Sequence, residues 1–255
     1  MESMAEGRRI AVVLAAGTGS RMKAGVAKQF LMLGGKPLIY YALHVMEESP
    51  VIDECILVTG EADMEKMRRD VVEKYGFRKV TAIIPGGSER CYSVANAMRW
   101  ISAISKEDAG SEKDVVLIHD GARPFVTERI LETACQAAKI FGACVVAVPS
   151  KDTVKIADEE GFAAQTPERQ KVWCVQTPQA FERNLITMAY GRFEEEWGKG
   201  RSLRGGRVPV TDDASVVERY TDVKVKLAEG DYANFKVTTP EDLILAEVLL
   251  EKNSF

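Results

Sequence analysis

The sequence predicts an α/β fold, a mainly parallel sheet with helices on both faces. Short apolar runs alternate with amphipathic segments along most of the chain, the rhythm by which strand–helix–strand units build a parallel sheet. The runs are β-branched and continuous, as strands covered on both sides are. The segments between them carry helix-start residues and apolar positions at helical spacing.

The first strand is IAVVLAA (10–16). After a Gly-rich stretch, a helix is expected over 37–48, with Pro37 in its first turn and Leu38, Tyr41, Ala42 and Val45 at helical spacing. CILVTG (55–60) and AIIP (82–85) read as strands, each followed by a helix, over about 61–75 and from Ser88 to about Ile104. VVLIHD (115–120) is the next strand, before a helix over about 127–140 that Thr127 can cap. The rhythm breaks after ACVVAVP (143–149). DTVKI and QKVWCVQ, separated by the turn-like ADEEG, predict a protruding β-arm over about 150–175. A two-stranded ribbon is marginal in water, so this arm should pack against something, such as a second subunit. GRFEEEWGKGRSLRGGR (191–207) reads as a charged, mobile insertion. VKVKLAE (223–229) and a helix from Pro240 to about Lys252 restore the α/β pattern. There is no internal repeat, and 255 residues suit one domain spanning 1–255.

Composition narrows the partners. With 38 acidic and 34 basic residues the net charge is −4, which argues against a nucleic-acid-coating or polybasic membrane surface. Any bound anion must be held by locally placed cations. The five cysteines (Cys55, Cys91, Cys135, Cys144, Cys174) are scattered and never form Cys-x-x-Cys, so buried reduced thiols are expected rather than disulfides or zinc. The opening MESMAEGRR lacks the apolar core of a secretory leader. No apolar run approaches the roughly 18 residues of a membrane span, and the expectation is a soluble, cytoplasmic protein.

The most informative stretch is AAGTGSRMKAGVAKQF (15–30), directly after the first strand. Small residues at Ala15, Ala16, Gly17 and Gly19 let the backbone approach a ligand and aim amides at phosphates. Arg21 and Lys28 add two cations, which a phosphoryl-transfer site needs to neutralise developing charge. A dinucleotide fingerprint is disfavoured because its third glycine position holds Met22 and no acidic ribose partner follows at the expected distance. A P-loop would require Gly-Lys-Ser/Thr, which is absent. A purely structural turn would have no use for both Arg21 and Lys28.

AAGTGSRM…KQF resembles the signature loop of the sugar-nucleotide-forming nucleotidyltransferases. Six further blocks follow in order: PGGSERCYSV (85–94), HDGARPF (119–125), KDTVK (151–155), QTPQAF (176–181), TDDASVVE (211–218) and NFKVTTPEDL (234–243). Together they resemble the cytidylyltransferase family of the non-mevalonate isoprenoid pathway, IspD, over about residues 10 to 250. The resemblance implies a three-layer, Rossmann-like, GT-A-type nucleotidyltransferase fold, a homodimer, CTP and Mg²⁺, and a sugar-alcohol phosphate acceptor.

It also implies roles for individual residues. Arg21 and Lys28 would stabilise the pentacoordinate α-phosphate, and Ala15, Ala16, Gly17 and Gly19 would wrap the phosphates of CTP. Gly87, Ser88 and Ser93 would read the cytosine, with Gly121 also on the nucleotide; Ser88 could equally be a helix N-cap after an ordinary turn. Asp120, at the strand edge where open α/β sheets place ligands, would hold Mg²⁺ or brace a loop. His119 is expected to be structural. Arg123, Thr153, Thr177, Thr211 and Lys236 would contact the acceptor, and Arg169 on the arm would reach the partner's site. Taken alone, Arg169 is an exposed charge on a turn, and Lys236 is a residue whose side chain points away from those of Phe235 and Val237. Two departures stand out: Ser20 replaces a second basic residue of some members, and the 191–207 insertion lengthens the approach to Thr211. The competing functions are a ribitol-5-phosphate cytidylyltransferase, a nicotinamide-binding oxidoreductase and an inactive nucleotide sensor.

Overall fold

The computed structural model describes residues 7–17, 27–104, 113–198 and 210–253. Arg21 and Gly19 of the signature loop, and 199–207 of the insertion, lie outside the described residues.

Seven strands form one sheet. These are β1 (Arg9–Ala15), β4 (Glu54–Thr59), β5 (Val80–Pro85), β6 (Val115–Asp120), β7 (Ala143–Pro149), β10 (Trp173–Glu182) and β11 (Lys226–Glu229). Their order is β11-β7-β10-β6-β1-β4-β5. β1 pairs in parallel with β4 and β6, β4 with β5, and β7 with β11; only β10 runs against its neighbours. Two small hairpins stand apart, β2 (Met32–Leu33) with β3 (Lys36–Pro37), and β8 (Ile156–Ala157) with β9 (Ala163–Gln165).

The continuous apolar strands do bury both faces. Along β1, Ala11 and Val13 face one core with α1 (Leu38–Glu48) and α4 (Glu128–Phe141). Ile10 and Val12 face the other, with α3 (Arg90–Ile104), α5 (Arg183–Trp197) and α6 (Asp213–Tyr220). Successive strand side chains point to opposite faces, so one β-branched run feeds both layers. Thr127 caps α4, accepting from the amide of Ile130, and Gly142 ends that helix at φ 81°. α7 (Pro240–Asn253) closes the chain, with Asp242 Oδ2 accepting from the Thr238 and Thr239 amides at its start. The helix expected over 61–75 is irregular: a 3₁₀ turn (Glu61–Asp63), α2 (Met64–Met67) and a π-helical turn (Arg68–Glu73).

Three expectations need correction. The arm is shorter than predicted, because QKVWCVQ belongs largely to β10, a strand of the main sheet. The ribbon proper is β8 and β9, whose turn is built by Asp158 Oδ1 accepting from the amides of Glu160 and Phe162. α3 begins at Arg90, so Ser88 stands in the preceding loop and not directly before the helix. Residues 191–197 are no mobile insertion but the last turns of α5, with Phe193 fully buried. The charged run hides an apolar stripe: Phe193 and Trp197 face the core at helical spacing while the three glutamates between them do not. Of the cysteines, four are buried as expected, and Cys174 on β10 is exposed. Among the described residues no helix is long and apolar enough to cross a membrane.

Phe193 packs its ring 5.6 Å from Tyr92, 5.8 Å from Tyr190, 6.2 Å from Trp197 and 6.3 Å from Tyr220. Phe193→Ala should therefore cost about 3–5 kcal/mol by urea unfolding. The exposed neighbour change Glu195→Ala should stay within about 0.5 kcal/mol.

Candidate active site

The carboxyl ends of β1, β5 and β6 converge on a cavity of about 470 Å³, at the sheet edge where open α/β folds bind ligands. Ala15, Ala16 and Gly17 line it from the end of β1, Gly87 and Ser88 from the loop after β5, and Asp120 and Gly121 from the end of β6. Ser93 enters from α3, Lys28 from a 3₁₀ turn (Lys28–Phe30), and Lys236 from the extended segment before α7.

Local backbone geometry explains the shape. The Gly87 amide donates to Ser93 Oγ at 3.0 Å, and Ser93 Oγ donates to the Glu89 carbonyl at 3.2 Å, so one hydroxyl ties the loop to the first turn of α3. A Cβ on Gly87 would stand 2.4 Å from Tyr92 Cβ, so only glycine fits there. Gly121 N–H donates to the Leu14 carbonyl at 2.9 Å, joining the β1 and β6 ends. Lys28 is steadied through its neighbour: Gln29 is buried and donates to Asp63 Oδ2 at 3.2 Å.

A second cavity of about 280 Å³ adjoins the first; Arg123, Thr177 and Thr211 line it with Gln176, Gln179 and Asp212. The two share three residues, Arg90, Asp120 and Lys236, which form the wall between them. Asp120 Oδ2 accepts from Lys236 Nζ at 2.7 Å and Oδ1 from Arg90 Nε at 3.1 Å. Burial pushes the Asp120 carboxyl up, but Arg90 and Lys236, with Arg123 behind them, outweigh it and hold Asp120 far below the ordinary carboxylate range. Lys236 does point away from Val237, which is fully buried, and into the site.

β10 supplies the floor. Thr177 Oγ1 accepts from the Asp120 amide at 3.0 Å and meets His119 Nδ1 at 3.0 Å. Asn234 Nδ2 donates to the Thr177 carbonyl at 2.9 Å, and the Asn234 carbonyl accepts from Arg123 Nη1 at 2.7 Å. His119 is fully buried with its second ring nitrogen 3.3 Å from the Arg123 carbonyl.

Thr153 and Arg169 are exposed on the arm and line neither cavity. Arg90, Gln179 and Asp213 are buried or half-buried residues of the site that were not singled out in the sequence, and so are Gln176 and Asp212. Arg90 grips Asp213 with two bonds, Nη1 to Oδ1 at 3.0 Å and Nη2 to Oδ2 at 2.8 Å, across 123 positions of sequence. Each lies inside a motif block, so the signal present was position within a block and not a local pattern.

The family model for 2-C-methyl-D-erythritol 4-phosphate cytidylyltransferase, IspD, matches residues 9–252. A relative of that name in Clostridium kluyveri is 42% identical, covering 96% of this chain and 97% of its own. One in Caldanaerobacter subterraneus is 43% identical over 95% and 98%. Among solved structures, 4-diphosphocytidyl-2C-methyl-D-erythritol synthase from Anaerococcus prevotii superposes at a TM-score of 0.78, with 32% identity over 96% of this chain and 97% of that one. The Thermus thermophilus cytidylyltransferase gives 0.68, with 27% identity over 94% and 98%.

Burial pushes His119 from 6.5 down to about 4, so the folded state rejects a proton that the unfolded state accepts. The stability this confers is fully present above pH 6.5 and is lost as pH falls toward 4. Urea midpoints measured across that window should fall more steeply for the wild type than for His119→Asn; equal slopes would refute the assignment.

Proposed function

The chain belongs to the 2-C-methyl-D-erythritol 4-phosphate cytidylyltransferase family, and we propose that its two adjoining cavities receive CTP and the acceptor on either side of the Arg90–Asp120–Lys236 wall. The reaction is the family's: CMP passes from CTP to 2-C-methyl-D-erythritol 4-phosphate, giving 4-diphosphocytidyl-2-C-methyl-D-erythritol and pyrophosphate in non-mevalonate isoprenoid precursor synthesis.

The observation that carries the assignment of pockets is the division of the lining. The larger cavity offers backbone of Ala15, Ala16 and Gly17 with Lys28, a chemistry for a triphosphate, and Gly87, Ser88 and Ser93 with Gly121, suited to reading a small base. Among the described residues, a Cβ on Gly17 would meet nothing within 4 Å, so their packing does not demand glycine there; close approach of a phosphate would. The smaller cavity offers Arg123 and Lys236 with hydroxyls of Thr177 and Thr211, a chemistry for a phosphate monoester and its polyol.

In this reading an acceptor phosphate oxygen attacks the α-phosphorus of CTP, a new P–O bond forms, the bond to the β-phosphate breaks, and pyrophosphate leaves with the electron pair. The attacking phosphate is already anionic, so no general base is needed. Lys28, with Arg21 from the same loop, neutralises charge on the α-phosphate, while Lys236 and Arg123 orient the nucleophile. Arg169 and Thr153 act on a partner's acceptor pocket in a homodimer joined through the arm, where Ile156 and Phe162 are exposed. The protein works in the cytoplasm.

The reading includes Mg²⁺, with Asp120 as its protein ligand. Among the described residues no group of three or more His, Cys, Asp or Glu could cage an ion alone. Mg²⁺ is ordinarily held by one or two carboxylates together with substrate phosphates, and a lone Asp120 fits that pattern. The ion, when bound, would neutralise phosphate charge.

Pyrophosphate release should appear with CTP and methylerythritol phosphate and not with ribitol 5-phosphate, ATP, GTP or UTP. Lys28→Ala should lower kcat by about 10²–10³-fold with little change in CTP affinity. Lys236→Ala should raise KM for the acceptor above all. A Lys28→Ala enzyme that shows only a raised KM for CTP would refute the transition-state role.

A further inference from the structure

We propose that Arg90 is a positioning residue of the transfer reaction: anchored on Asp213, it keeps Asp120 fixed in the wall between the two cavities when Lys236 leaves that carboxylate for an anionic substrate. The proposal rests on the reading of the cavities as CTP and acceptor pockets.

The donors of Arg90 are divided. Two guanidinium nitrogens bind Asp213 end-on, at 3.0 and 2.8 Å, which leaves Nε for Asp120 at 3.1 Å. A planar fork fixed at one end carries its remaining donor in a set direction. The anchor is itself rigid. Asp213 is fully buried and also accepts from Tyr190 Oη at 2.7 Å. It opens α6, whose N-cap Asp212 forms a capping box with Ser215. Gln179 on β10 donates to Asp212 Oδ2 at 3.0 Å and accepts from the Ala214 amide at 2.9 Å. Residues from β10, α5 and α6 therefore hold one end of the Arg90 contact still.

Lys236 is the opposite kind of partner. Its ammonium ends a flexible chain, its side chain is 34% exposed against 10% for Asp120, and it faces both cavities. An incoming phosphate competes with Asp120 for Lys236 and has no comparable hold on Arg90, whose charge is already matched by Asp213. Arg123 lines the smaller cavity and gives Nη1 to the Asn234 carbonyl at 2.7 Å, and among the described residues the ion pairs of Asp120 are with Arg90 and Lys236. A lysine at position 90 could meet one carboxylate but not bridge both in one plane.

The test compares Arg90→Met and Arg90→Lys with Tyr190→Phe, which loosens Asp213 but leaves Arg90 in place. Pyrophosphate release with CTP and methylerythritol phosphate, CTP binding by calorimetry without acceptor, and Tm are read for each. Arg90→Met should lower kcat roughly 100-fold, the scale of a misplaced reacting group. Arg90→Lys should recover part of that, Tyr190→Phe should keep most of the wild-type kcat below its Tm, and CTP affinity should hold throughout. An Arg90→Met enzyme with wild-type kcat overturns the proposal, as does a collapse of CTP affinity with kcat kept, which would make Arg90 a nucleotide contact. Equal kcat losses in Arg90→Met and Tyr190→Phe at equal loss of Tm reduce it to a structural residue and also overturn it. Should Arg90→Met not fold, a wild-type kcat in Arg90→Lys is the overturning result. A wild type silent with both substrates would sink the pocket reading and the proposal together; the other failures leave that reading standing.

Discussion

Two carboxylates, Asp120 and Asp213, are held out of water at the carboxyl edge of the sheet, and the site is arranged around how their charge is met. A buried carboxylate without a cation is strongly unfavourable, so the fold must deliver Arg90 and Lys236 to these positions or lose the charges. The result is a wall of alternating sign, Asp213, Arg90, Asp120 and Lys236, drawn from α6, α3, β6 and the segment before α7. That wall separates the cavity of about 470 Å³ from a smaller one lined by cations and hydroxyls. Net charge of the chain is slightly negative, so any attraction for anions must come from local placement of cations such as these.

The sheet positions the wall. Parallel strands β1, β5 and β6 bring their carboxyl ends together, which sets Ala15, Gly87 and Asp120 around one opening. The antiparallel strand β10, inserted between β6 and β7, is what gives the site its floor. Pairing with β6 sets Gln179 opposite Ile118, and from there Thr177 reaches the Asp120 amide. Buried His119 braces this junction through Thr177 Oγ1.

Much of this was legible beforehand. Strands at 115–120 and 143–149 fell where expected because a strand buried on both faces reads as a continuous apolar run, as the first strand also does. The cap at Thr127 was readable because an N-cap is a contact over three residues. The segment 191–197 was misread because composition was weighed over spacing: glutamates dominate the count, but Phe193 and Trp197 decide the helix's inner face. QKVWCVQ was assigned to the arm because its polar ends resemble a ribbon, while its pairing with β7 is a long-range fact.

By itself the sequence determined the alternation of strands and helices, the small-residue loop with its lysine, and the ordered motif blocks that identify the family. These are local, written in period, turn chemistry and short-range spacing. Only the tertiary structure decided which charges meet. Arg90 and Asp213 are 123 positions apart and Lys236 and Asp120 are 116 apart. No periodicity encodes such a pairing: it exists because the sheet order brings α3, α6 and the segment before α7 to the end of β6, and because a buried charge left unpaired is strongly unfavourable.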